Sequence, residues 1–117
     1  MSIERLAPQS GDGAVATVVL SGEIDLSVAD KLESALELDG SGDARSLLVD
    51  MTGVRFIDSS GIRVLLSAHR DLTANGGAWA LVLESGSVVE RTLELTAVTE
   101  VLPTFASREL ALAELES

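Results

Sequence analysis

The sequence of 117 residues contains no cysteine, one histidine, one tryptophan and two phenylalanines. Without cysteine there are no disulfides, no thiolate metal sites and no thiol nucleophile. A lone histidine, His69, argues against a zinc centre, and no metal or cofactor is expected. Aromatic residues are 3% of the chain, so Val, Leu, Ile and Ala have to fill the interior. Long apolar runs are also missing. No stretch approaches the ~18 uninterrupted apolar residues of a membrane span, and the opening MSIERLAPQS lacks the apolar centre of a secretory signal. A cytoplasmic protein without membrane contact is expected.

Positive charge is scarce: 8 basic against 19 acidic residues leave a net charge of −11. Nucleic-acid phosphates would be repelled by that balance, so no direct nucleic-acid contact is expected. A partner with a basic face suits it. Acidity that only keeps the chain soluble suits it equally well.

Hydrophobic residues reach 46%, enough to build one core in a chain of this length, and one domain over residues 1–117 is expected. Strand-like and helix-like stretches alternate. Ser2 to Leu6 reads as a weak first strand, followed by a turn at Pro8, Gly11 and Gly13. The Val-rich segment Ala14 to Leu20 reads as a second strand. Ser27 reads as the N-cap of a helix whose apolar face carries Val28, Leu32, Ala35 and Leu36. DGSGD, 39–43, breaks the chain, and Ser46 to Met51 has the continuous apolar character of a strand buried on both faces.

From Thr52 a loop is expected, then a helix with Ile62, Leu65, Leu66, His69 and Leu72 on one side, ended by the NGG of 75–77. Ala78 to Glu84 is a further strand, and Val88, Val89, Thr92 and Leu93 mark a third helix. Val101 to Phe105 reads as a short strand that Pro103 confines to an edge. SRELALAEL closes the chain as a helix. This alternation predicts an α/β layer fold, a mixed, mostly parallel sheet of four to five strands with about four helices.

The chemistry concentrates in VRFIDSSGIRVLL, where an apolar approach gives way to Asp58, Ser59, Ser60 and Gly61 at the mouth of a helix. Functional groups of open α/β sheets gather at the carboxyl ends of strands, beside helix starts with free N–H groups. A plain cap, worth roughly 1 kcal/mol, accounts for one small polar residue there. It does not account for D-S-S-G as a unit. If Asp58 or Ser60 serves the cap, Ser59 is free to point outward. Gly61 costs about 1 kcal/mol relative to Ala inside a helix, which signals a close approach. The spacing leaves a cap and a functional loop as open readings.

A second polar cluster, SGEIDLS, places Glu23 and Asp25 between a strand and a helix. If the two strands are neighbours, Asp25 and Asp58 share a rim with Ser59. Such carboxylates can do acid–base work or hold a metal, serve as turn and cap acids, or repel a phosphate placed on the serine. Arg63, four residues after Ser59, reads either as a partner for a phosphate or for acidic groups, or as a solvated surface residue. His69 reads as a packed or bordering histidine, and Trp79 as core or sheet surface. A serine hydrolase is disfavoured, because the chain has no G-x-S-x-G elbow and His69 has no clear route to Ser59.

G-E-I-D at Gly22 to Asp25, ahead of F-I-D-S-S-G at Phe56 to Gly61, together with the flanking segments, resembles the STAS domain of the anti-sigma factor antagonist family over nearly the whole chain. The resemblance implies a single STAS domain that is not an enzyme and accepts a phosphate on the first serine of D-S-S-G, here Ser59. It implies that the unphosphorylated form binds an anti-sigma factor that is also a serine kinase, releasing a sigma factor for transcription, as in stress responses. It also implies that phosphorylation ends the binding and that a phosphatase restores it. Asp25, Asp58, Ser60, Gly61 and Arg63 then form the switch loop or partner-binding surface. The alternative is a phosphorylation-independent STAS scaffold within a signalling complex. The chain departs from the family's habit at Gly86, where relatives often carry proline, and at Ala97, where they often carry glycine.

Overall fold

The computed structural model describes residues 1–6, 15–37 and 46–116. The expected turn at Pro8, Gly11 and Gly13 and the DGSGD break lie outside them. Among the described residues there are five strands, β1 (Ser2–Leu6), β2 (Val15–Ile24), β3 (Ser46–Ile57), β4 (Ala78–Val82) and β5 (Thr104–Phe105). Four α-helices accompany them: α1 (Ala29–Ala35), α2 (Ser59–Ala74), α3 (Val88–Leu95) and α4 (Arg108–Leu115). Single 3-10 turns stand at Leu26–Val28 and Val98–Glu100.

The sheet runs in the order β1-β2-β3-β4-β5, with β1 antiparallel at one edge and the other neighbours parallel. Each parallel crossover moves one strand in the same direction. Right-handed crossovers then deliver α1, α2 and α3 to one face. Leu32, Leu65, Val89 and Leu93 from those helices join Val18, Leu20, Leu47, Val49, Met51, Trp79 and Leu81 in the larger apolar cluster. Every second residue of the central strands faces the other way, where Val15, Leu48, Ala80 and Val82 are covered by Ala111 of α4. Burial on both faces explains why SLLVDM and AWALV are almost continuously apolar. Fully buried leucines such as Leu20, Leu47, Leu48 and Leu65 each contribute roughly 1.5–3 kcal/mol.

Among the described residues two polar side chains enter this interior, Thr17 and the charged Asp50. Asp50 on β3 is buried and faces α4, where its Oδ2 accepts a 2.5 Å bond from Nε of Arg108. Its Oδ1 accepts from the N–H and hydroxyl of Thr52, at 2.9 and 2.7 Å. Burial alone would raise this carboxyl's pKa. The Thr52 and Arg108 bonds outweigh it and hold the group below its ordinary value.

The strands are longer than their apolar runs. β2 continues through Ser21, Gly22 and Glu23 to Ile24, and Thr52 to Ile57, expected as a loop, is strand. The two extensions pair with each other, so their ladder is satisfied although β4 stops at the level of Asp50. Register shifts between Val19 and Ser21 and between Gly22 and Glu23 leave extra residues on β3.

One cap differs from expectation and one agrees with it. Asp25, not Ser27, caps the turn after β2, and α1 begins at Ala29 without a side-chain cap. The C-terminus of α2 is a paired-bond glycine stop, with N–H of Gly76 on the Thr73 carbonyl and N–H of Gly77 on the Leu72 carbonyl.

Candidate functional site

Ile24 and Ile57 are partners in register, so β2 and β3 end side by side and release Asp25 and Asp58 together. The Asp58 N–H donates to the Ile24 carbonyl at 3.1 Å, which ties the two strand ends together. Asp58 is extended, φ −104° and ψ −176°, and caps α2: its Oδ1 accepts from the N–H of Ser60 at 2.9 Å and of Gly61 at 3.2 Å. The Ile62 N–H takes the Asp58 carbonyl at 3.1 Å. The cap role is therefore filled by Asp58.

Ser59 is the first residue of α2 and is exposed. Its hydroxyl has no hydrogen-bond partner among the described residues. Ser60 is half-buried and Gly61 is buried. A Cβ at residue 61 would meet Ile24 Cγ2 at 2.6 Å and Ile57 Cγ1 at 2.8 Å. The close approach that Gly61 permits is thus the seating of α2 on the two strand ends. Asp25 accepts from the Ser27 hydroxyl and N–H, at 2.5 and 3.0 Å. The Ser27 hydroxyl bond holds the Asp25 carboxyl below its ordinary pKa.

Two apolar side chains stand exposed beside these strand ends. Leu26, directly after Asp25, is 74% exposed, and Phe56, opposite Glu23 in the ladder, is 46% exposed. The rim therefore combines a free hydroxyl on a fixed backbone, the carboxylates of Glu23, Asp25 and Asp58, and solvent-facing apolar groups. Among the described residues no base is bonded to Ser59.

A family model described as the STAS domain matches residues 9–111. The chain belongs to the STAS domain family. A curated relative, the anti-sigma F factor antagonist of Paenibacillus polymyxa, is 29% identical over 105 residues, covering 87% of each chain. Among solved structures, an anti-sigma factor antagonist from Mycobacterium paratuberculosis superposes with a TM-score of 0.82 at 25% identity, covering 99% of this chain and 96% of that one. The Bacillus cell fate determinant SpoIIAA in its phosphorylated form shares the fold, with a TM-score of 0.59 at 19% identity over 97% and 98% of the two chains.

Within this STAS fold, Arg63 lies on the exposed side of α2, one turn beyond Ser59, and joins the groove between α1 and α2. His69 packs edge-on against buried Trp79, with ring centroids 6.0 Å apart and planes at 85°. That placement puts Trp79 in the core and His69 at its border. Burial lowers the His69 pKa. Leu26 and Phe56 were invisible as rim residues from sequence. The trace they left is two large apolar residues beside acids, Phe56–Ile57–Asp58 and Asp25–Leu26. Only the strand register shows which of them turns outward.

Proposed function

We propose that this chain is an anti-sigma factor antagonist, switched by phosphorylation of Ser59. The observation that carries the reading is the exposed, unbonded Ser59 hydroxyl at the head of α2, beside a cap that Asp58 already fills. The names of the Paenibacillus and Mycobacterium relatives support the antagonist part.

In the unphosphorylated state the rim is small and neutral at residue 59. Leu26 and Phe56 supply apolar contact, and the flanking carboxylates suit a partner with a basic face. The anti-sigma factor binds here and gives up its sigma factor in the cytoplasm. As a serine kinase, it supplies nucleotide and catalytic base. The Ser59 oxygen attacks the terminal phosphorus, its proton passes to the kinase's base, and the nucleoside diphosphate leaves.

The product adds about −1.5 to −2 charges at neutral pH, next to Asp58 and on a chain already at −11. The N–H groups of Ser60 and Gly61 are taken by Asp58, so they are not free to neutralise it. A partner packed over Ser59 would bury that charge unpaired, at a cost of several kcal/mol. A loss of about 2.8 kcal/mol already weakens binding about a hundredfold. A separate phosphatase returns the neutral rim.

The test is phosphoryl transfer from the anti-sigma factor kinase co-purified from the native cell, with ATP. Wild type and Ser60→Ala should be labelled, and Ser59→Ala should not. Label on Ser59→Ala would refute the assignment. A kinase-free complex whose affinity ignores Ser59 would favour a scaffold instead.

A further inference from the structure

Away from the Ser59 rim, α1 and α2 enclose a half-open groove of about 550 Å³. Its floor is apolar: Leu36 from the end of α1, and Val64, Ala68 and Leu72 at every fourth position of α2. Its walls are charged, with Glu33 and Glu37 on the α1 side and Asp71 on the α2 side, against one cation, Arg63. Among the described residues, Glu33, Glu37 and Arg63 have no ionic partner, and Asp71 has only an exposed contact with Arg70 at 3.9 Å. Four apolar groups are therefore bordered on both sides by carboxylates whose only ionic contact among the described residues is that of Asp71, although the Arg5 guanidinium lies nearby, bonded to the carbonyls of Ala35 and Glu37.

We infer that this groove docks a basic, amphipathic helical segment of a protein partner, at a site separate from the phosphoacceptor rim. Charge complementarity selects the occupant. An apolar face alone would suit many ligands, but carboxylates on both walls favour lysines or arginines flanking an apolar stripe. Dimensions agree. Arg63 to Asn75 spans about 18 Å along α2 at 1.5 Å per residue, the length of roughly three helical turns. The i, i+4, i+8 spacing of Val64, Ala68 and Leu72 is a ridge against which a second helix can pack.

The probe is a synthetic 14-residue helical peptide with leucines on one face and lysines beside them. It is titrated into the isotope-labelled full chain and followed by amide NMR. Saturable shifts should map to the segments around 33–37 and 63–77. The triple change Glu33→Lys, Glu37→Lys, Asp71→Lys, all at exposed sites, should weaken binding about tenfold or more, whereas Glu94→Lys, Glu100→Lys, Glu109→Lys should weaken it less than about threefold. A peptide of the same composition in scrambled order should bind more weakly than the amphipathic one. Shifts on another face, equal losses in the two triple variants, or equal binding of the scrambled peptide would overturn the proposal in favour of diffuse attraction to an acidic surface. Concentration-dependent shifts of the same amides without peptide would mean that a second copy fills the groove, and would overturn it too.

Discussion

Gly61 and Ile24 stand so close that a Cβ on residue 61 would come within 2.6 Å of the Ile24 Cγ2 atom. Ile57 Cγ1 closes the other side at 2.8 Å. Both isoleucines are buried and cannot swing away. Gly61→Ala gains up to about 1 kcal/mol in helix propensity, but overpacking costs about 1–3 kcal/mol. Net destabilisation is expected, with a melting temperature several degrees lower. An unchanged or raised midpoint would mean that α2 lifts off the strand ends at no cost.

Ala97 has φ 60° and ψ 17°, just beyond the C-terminus of α3. The left-handed position after a helix is where glycine is usual, and an L-side chain there costs roughly 1–2 kcal/mol. Ala97→Gly should raise stability by about 1 kcal/mol in urea unfolding at pH 7, after the added chain entropy of glycine is subtracted. A loss of stability would contradict the strain.

The Asp50–Arg108 pair ties β3 to α4. Arg108→Met should cost about 1–3 kcal/mol at neutral pH, because it leaves a buried carboxylate with only Thr52 as partner. The folded Asp50 pKa lies below its ordinary value. Its contribution is therefore fully present above the unfolded value of about 3.9 and is lost as pH falls through the lower, folded one. The gap between wild type and Arg108→Met in urea unfolding should be constant from pH 7 to 5 and narrow as pH is taken well below 4. A gap independent of pH would assign the loss to packing of the arginine stem.

Three substitutions at residue 59 separate charge from shape in the proposed switch. Ser59→Ala leaves a small neutral surface and should bind the anti-sigma factor within about 1 kcal/mol of wild type. Ser59→Asp should bind more weakly, by a penalty that shrinks as salt rises. Ser59→Asn copies the shape of Asp without its charge and should resemble Ala. Calorimetry at low and moderate salt reads all three. If Asn loses as much as Asp, the rim is a steric gate and electrostatics does not operate the switch.

The sequence made some elements readable and hid others for definite reasons. The strands at 46–51 and 78–82 were legible because burial on both faces demands unbroken apolar runs, although the second was expected to run on to Glu84. The α2 stop was legible because NGG is the chemistry of a glycine cap. The extensions of β2 and β3 were not, because SGE and TGVRF are polar or mixed and, apart from Ser21 opposite Ser2, pair with each other. Their trace is Gly22, with φ +91°, and Gly53, where a Cβ would sit 3.0 Å from the Ser21 Cβ, both at the register shifts. A register shift belongs to two strands at once, so neither segment alone reveals it. The same shift turns Phe56 outward, which is why the apolar part of the rim stayed hidden while the D-S-S-G itself did not.

The double hold on Asp58, its N–H on the Ile24 carbonyl and its carboxylate on Ser60 and Gly61, also bears on timing. Residue 59 rides on a backbone fastened from both sides, so the proposed esterification of its hydroxyl, and its reversal, would require no refolding. Under the proposed switch, the chain keeps no memory of its own. The persistence of a signal would be set by the turnover of the kinase and the phosphatase, and a cell could retune the duration of its response without altering a residue of this protein.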